Sequence, residues 1–452
     1  MIYLLLIVLL AIVIGSFYLN EYDAISPSFL FSVSITSGVA FATLYVNKWN
    51  LTLSMNTFLV VLGGTVTFLL VSYLTKLLFY KKYKLELQKE NLELKDYKIS
   101  NWKLNLFLIF EILVISYTVY SVVILVGGDF QNITSAIVKY RNINMFSDDK
   151  IWLPKLLTYS RVAVNAGGFW FSYVLVYKWF AVKKINYRIP VIVFLSMVSS
   201  YILGGRNGLI NMVVSLVVSY FIVINYKNGF KNNLKAGLLL RLLIIFVLVL
   251  ISFESLALLI GRSSFSGTSK LDYLAIYIGA PIKNLDSFLQ ELHGYTRMDQ
   301  SQTFNHVMNW IGRKFNNPDL LYSLDLPFRT INNQTLGNVY TTFYPYVYDF
   351  GYIGVPLMIF IMSFLTQSLY EMVKRGNRQS SLPLIRNITY AYVSNSIVMS
   401  FFSNKFYEQH FNTGFIQTII IWLLFNIFFC TDFLEKVYNN VLFRIKKGDK
   451  QS

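Results

Sequence analysis

Long apolar runs separated by short polar turns fill most of this chain. They lie at about 1–19, 27–46, 57–80, 104–127, 157–177, 189–204, 207–225, 238–261, 352–373, 388–402 and 414–431. A hydrocarbon core of roughly 30 Å takes about 20 apolar residues per helical crossing. The pattern therefore predicts an all-α, polytopic integral membrane protein with about eleven transmembrane helices. The runs at 189–204 and 388–402 are short and read as tilted or partly re-entrant. Strict alternation of apolar and polar residues, the mark of a membrane β-barrel, is missing. The first run has no basic leader and no small-x-small cleavage site, so it reads as a retained helix. No self-similar repeat is visible, which weighs against a transporter built from two related halves.

Two segments interrupt this layout. KKYKLELQKENLELKDYK (81–98) alternates charges, with Lys82/Glu86 and Lys89/Glu93 at i,i+4 spacing, and predicts a helical extension of the third run. The segment 262–351 is far longer than an ordinary connection, and long loops of this kind carry function. Within it, LDYLAIYIGAPIKNLDSFLQEL and TFNHVMNWIGRKF are amphipathic and predict helices lying at the membrane surface. The domain reading is thus one polytopic unit over 1–452, with 81–103 as a charged cytosolic segment and 262–351 as a large external loop.

Composition adds the solvent and the orientation. Hydrophobic residues make up 55% of the 452 and charged residues 14%, which excludes an ordinary soluble enzyme and a disordered chain. The net charge of +17 would suggest nucleic acid in a soluble protein. Here 24 of the 40 basic residues fall in 81–103, 178–188, 227–241, 374–386 and the tail after Thr431. Those segments share one side if the runs alternate, so that side is cytoplasmic and nucleic acid is not implied. The N-terminus and the loop 262–351 are then outside. A single cysteine, Cys430, excludes internal disulfides and thiolate metal clusters, and three scattered histidines (293, 306, 410) form no metal motif. The expectation is no metal and no cofactor.

Positive charge on the expected outer side runs against the orientation rule and reads, for each arginine, either as a contact to a lipid phosphate or a loop, or as part of a ligand site. Arg206 sits in LGGRNG, Arg262 ends the eighth run, and Arg141 and Arg161 flank the start of the fifth. Arg313 and Arg329 lie in the long loop. Guanidinium suits bidentate contact with phosphate, which points to an anionic lipid headgroup such as a pyrophosphate. Gly204 and Gly205 before Arg206 let backbone approach a ligand. Glu111 and Glu254 lie inside apolar runs, where a carboxylate faces a cavity or a partner. Glu254, two turns before Arg262, reads either as a base, as support for that arginine, or as a structural protonated or paired carboxyl. His306 is the histidine placed in the external loop.

ILGGRNGLINMVVSLVV (202–218), the long loop and its exit NVYTTFYPYVYDFGYIGVPLMIF (338–360) together resemble the oligosaccharide repeat-unit polymerases of bacterial surface polysaccharides, the Wzy type. The resemblance covers span count, loop position and topology over most of the chain. It carries over to Gly204, Gly205, Arg206, Asn338, Thr341, Asp349 and Gly351. It implies a GT-C-like glycosyltransferase of the bacterial cytoplasmic membrane, with its active face outside the cytoplasm. Undecaprenyl-pyrophosphate-linked oligosaccharides would be its substrates for O-antigen or capsule. A chain-length regulator and a flippase of the same pathway would be partners. Asp349 would then be a catalytic base, with Glu254 and His306 as further candidates, or else a cap for the helix beginning near Gly351. An O-antigen ligase and a lipid-linked oligosaccharide flippase are the alternative readings.

Overall fold

The computed structural model describes residues 1–83, 96–146, 150–203, 205, 207–228, 230, 270–291, 300–332, 334–376, 380 and 382–431. In chain order these form α1 (Ile2–Leu19), α2 (Pro27–Leu44), α3 (Met55–Tyr83), α4 (Asn101–Leu125), α5 (Ile133–Phe146), α6 (Lys155–Val176), α7 (Arg188–Tyr201) and α8 (Asn207–Lys227). After these come α9 (Lys270–Ile278), α10 (Ala280–Glu291), α11 (Asn305–Phe315), β1 (Arg329–Ile331), β2 (Gln334–Gly337), α12 (Phe343–Phe350) and α13 (Gly354–Lys374). The last three helices are α14 (Ile385–Val398), α15 (Lys405–His410) and α16 (Thr413–Cys430).

Seven of these helices, α1, α2, α3, α4, α8, α13 and α16, are long and apolar enough to cross a membrane. A helix satisfies its own backbone hydrogen bonds, which is the condition for crossing hydrocarbon. In these helices 22% to 56% of the apolar window is buried, so each keeps a large share open to its surroundings. On α1, Leu5 and Leu9 are buried while Leu4, Ile7 and Ile14 stand exposed, a surface that water would not tolerate but lipid does. The protein is a mostly helical, multi-pass membrane protein. Of the other predicted spans, 157–177 forms α6, whose second half is almost wholly buried. Residues 189–204 and 388–402 form only the short helices α7 and α14, and 238–261 lies outside the described residues. The predicted extension of the third run reaches Tyr83, and 84–95 also lies outside them. One departure from an all-α chain is the antiparallel hairpin β1–β2 in the long loop.

The residues group into two compact units. The first comprises 1–90, 228–375 and 390–415. Its core joins α1, α2, α3 and α13 through Leu5, Phe31, Ile35, Val61, Phe68, Ile359 and Met362, with Phe31 stacked on Phe68 at 4.2 Å. Helix α12 is wedged into this bundle: a Cβ at Gly64 of α3 would stand 2.4 Å from the Phe343 ring. Helix α10 is wedged in as well, with Ile282, Leu285, Asp286 and Leu289 buried. The Asp286 carboxylate accepts from Ser54 N–H at 2.8 Å and from the Thr57 hydroxyl at 2.7 Å, which ties α10 to the start of α3. The expectation that 271–292 lies on the membrane surface is thus corrected for α10: its polar residues have partners inside the protein.

The second unit comprises 91–227, 376–389 and 416–452. Here α6 packs closely, because a Cβ at Gly168 would stand 2.6 Å from Met212 of α8 and 2.7 Å from Ser196 of α7. Phe107, Trp170, Phe171, Phe425 and Phe429 form its aromatic core. The buried indole and amide groups are matched in pairs, Trp170 Nε1 donating to Asn426 Oδ1 at 2.9 Å and Trp422 Nε1 to the Ala166 carbonyl at 2.8 Å.

Candidate functional site

The candidate residues divide between the two units, and each group is described within its own. In the second unit the centre is Arg161, buried in the second turn of α6. Its Nη1 donates to Thr118 Oγ1 of α4 at 3.2 Å, and its Nη2 donates to the Ser199 carbonyl of α7 at 3.1 Å. No carboxylate among the described residues pairs with it. Helix α5, with Tyr140, covers this end of the helices, and Leu203 packs onto the same apolar cluster beside Val122, Val126 and Ala136. The turn leading to Gly205 therefore lies over the end of α4 and α5. At Gly205 a Cβ would meet nothing within 4 Å, so packing does not require glycine there. Arg141 is half-buried on α5 and is not free. Gly204 and Arg206 lie outside the described residues.

Two turns from Thr118 along α4, Glu111 is fully buried. Its Oε1 accepts from Ser196 Oγ at 2.6 Å, while Oε2 has no hydrogen-bond partner. Ser196 also donates to the Val164 carbonyl at 3.2 Å, and Ser200 donates to Asn165 Oδ1 at 2.7 Å. A polar seam thus runs between α4, α6 and α7. Sequence reasoning marked its Arg and Glu but missed Thr118, Ser196 and Ser199. Serine and threonine in an apolar helix carry no signal of which neighbour they will meet.

In the first unit Asp349, on α12, is buried and holds a neighbouring segment. Oδ1 accepts from Gln302 N–H at 2.8 Å, and Oδ2 accepts from Thr303 N–H at 2.8 Å and Ser301 Oγ at 2.6 Å. It caps the turn entering α11, not the helix after Gly351 as the capping alternative had it. Gln302 Oε1 in turn accepts from Asp325 N–H at 2.7 Å, and the Tyr322 hydroxyl donates to the Ser301 carbonyl at 2.8 Å. The two glycines that follow have physical reasons. Gly351 adopts φ 65°, ψ −163°, a conformation that only glycine occupies readily. A Cβ at Gly354 would stand 2.2 Å from the Tyr346 carbonyl oxygen. Gly351→Ala is expected to destabilise the protein by about 1–3 kcal/mol, read as a lowered unfolding midpoint of the purified chain.

The other loop candidates are placed as follows. Thr341 is buried, and its hydroxyl accepts from Phe343 N–H at 3.3 Å. Asn338 is half-buried beside it in sequence. Arg329 is spent on protein: Nη1 and Nη2 donate to the two Glu291 oxygens at 2.7 and 2.5 Å, and Nε donates to the Tyr340 hydroxyl at 3.2 Å. That carboxylate pushes the Arg329 pKa up and fills the fork expected for a phosphate. His306 and Arg313 are exposed on α11. Glu254 and Arg262 lie outside the described residues.

The tyrosines of the loop exit pack on one another, Tyr340 on Tyr344 at 4.5 Å and Tyr344 on Phe288 at 4.6 Å. Burial, then the Asp325 charge, pushes the Tyr348 hydroxyl up to about 12, and it donates to Asp325 Oδ2 at 3.2 Å. These rings form a structural stack within the protein. Among the described residues no His, Cys, Asp and Glu side chains are grouped to hold a metal ion. Compared with protein-family models, with curated proteins and with solved structures, the chain has no match.

Proposed function

We propose that this protein is a glycosyltransferase that joins undecaprenyl-pyrophosphate-linked oligosaccharide repeat units into a surface polysaccharide. The observation that carries the reading is Arg161, a buried guanidinium with two donors spent on neutral oxygens and no carboxylate beside it among the described residues. A cation held in this way inside a membrane protein is unbalanced until an anion arrives. No described atom lies within 4 Å of a Cβ at Gly205, which adds room for that anion near the same end of the helices.

In the proposed reaction an acceptor sugar hydroxyl attacks the anomeric carbon of the donor glycan. The bond from that carbon to the phosphate oxygen breaks as the new glycosidic bond forms. The carrier pyrophosphate leaves with the electron pair, and the hydroxyl proton passes to a base. Arg161, with Arg206 of the same unit, stabilises the charge growing on the leaving group. Arg262 is a further candidate cation and Glu254 the candidate base, both outside the described residues. Asp349, with three donors on its carboxylate, is a positioning residue that holds 301–303.

The test is the polysaccharide ladder made by cells carrying Arg206→Ala or Arg262→Ala. Long chains are expected to fall by roughly 100-fold or more, while single repeat units still reach the cell surface. A wild-type ladder in both variants overturns the assignment. Repeat units trapped on the cytoplasmic side of a null strain point to a flippase, and full-length chains left on the lipid carrier point to a ligase.

A further inference from the structure

Helix α11 presents a face that no described residue of its unit covers, and its position says what meets it. His306, Trp310, Arg313 and Lys314 recur at the spacing of one helical face, and all are exposed; Phe315, also exposed, ends the helix half a turn off that face. Trp310 is 41% and Phe315 69% exposed. The opposite face is fixed to protein. Asn305 and Asn309 each donate a side-chain N–H to the Tyr322 carbonyl, at 2.9 and 3.0 Å, and Gly312 fits against Asn317, Leu320 and Leu321. The free face is therefore held in place. It carries two cations and no acidic residue.

The height of α11 is set by the helix that crosses the membrane. Asp349, which holds 301–303, stands five residues before Gly354, where α13 begins. Phe304, just before α11, packs on Tyr407 at 5.3 Å. The Tyr407 hydroxyl donates to the Met358 carbonyl at 2.8 Å, four residues into α13. Four residues rise about 6 Å along a helix. Helix α11 thus departs from the layer in which a spanning helix enters the bilayer.

We infer that α11 is an interfacial helix that docks on the bilayer surface and binds anionic phospholipid headgroups through Arg313 and Lys314. Trp310 sits at headgroup level, as an amphipathic ring does at that boundary, and the two cations meet lipid phosphates. A sugar stacked on Trp310 fits less well, because the Lys314 ammonium already lies 4.9 Å from the ring centre. The inference stands apart from the proposed reaction, since it requires only the bilayer that the apolar helices already demand.

The experiment uses the full-length chain with Cys430→Ala, which removes the single cysteine. A spin label is placed at His306→Cys, on that face, or at Ser323→Cys, an exposed site outside α11, as an aqueous reference. The protein is reconstituted in phosphatidylcholine vesicles with or without phosphatidylglycerol. The label at 306 is expected to collide severalfold less with an aqueous nickel reagent than the label at 323, and more with lipid-dissolved oxygen. Phosphatidylglycerol deepens it further, and Arg313→Gln with Lys314→Gln removes that response. Aqueous accessibility at 306 equal to that at 323 overturns the docking. A depth that ignores both phosphatidylglycerol and the double substitution overturns the headgroup site.

Discussion

Asp349→Ala frees the segment 301–304 and lowers the stability of the first unit by about 3–5 kcal/mol. Three donors lose a charged acceptor, and two of them, the N–H groups of Gln302 and Thr303, are backbone groups of buried residues. Hydrogen exchange reads the effect locally, with protection at residues 302 and 303 falling by about a hundredfold or more. Asp349→Asn keeps one acceptor oxygen and turns an amide N–H toward the remaining donors, so it loses an intermediate amount. The same variant separates positioning from catalysis. Lost glycan transfer with unchanged protection at 302 and 303 assigns Asp349 to proton transfer, whereas activity that tracks the loss of protection assigns it to holding the loop.

Arg161→Met is expected to abolish long-chain polysaccharide while leaving the purified protein as stable as the wild type or more so. The reasoning rests on what the side chain leaves behind. Thr118 keeps the bond from its hydroxyl to the Val114 carbonyl at 2.7 Å, and Ser199 contributes a helical carbonyl. Methionine fills similar volume and removes a buried charge that has no counter-ion among the described residues, a replacement worth roughly 1–4 kcal/mol in favour of the apolar residue when it packs well. Stability lost where function improves is the trade-off expected of a binding site. Unfolding midpoints in detergent and the polysaccharide ladder together check it. A large loss of stability in Arg161→Met makes the arginine a structural clamp between α4, α6 and α7 and removes the main support for the anion site.

Several features of this arrangement were legible in the residues. The apolar runs gave α1 to α4, α8, α13 and α16, because a membrane helix needs only its own backbone bonds and its own apolar side chains. The motif ending in Asp349 and Gly351 marked a real structural joint, since a glycine-only turn follows a buried carboxylate. What Asp349 holds was not legible, for its partners stand 46 to 48 residues away in the chain. The same distance hid the fate of the arginines. Arg329 finds Glu291, 38 residues upstream, and is neutralised, while Arg161 among the described residues finds only a threonine and a carbonyl. The two amphipathic stretches of the long loop looked alike, yet α10 is enclosed and α11 is open on one face.

The sequence alone determined the solvent and the helical class, because hydrophobicity and backbone self-satisfaction are local properties that add along a segment. Tertiary structure decided which charged groups are already paired and which faces stay uncovered. Pairing depends on separations of a few ångströms between residues far apart in the chain, and no local pattern records them.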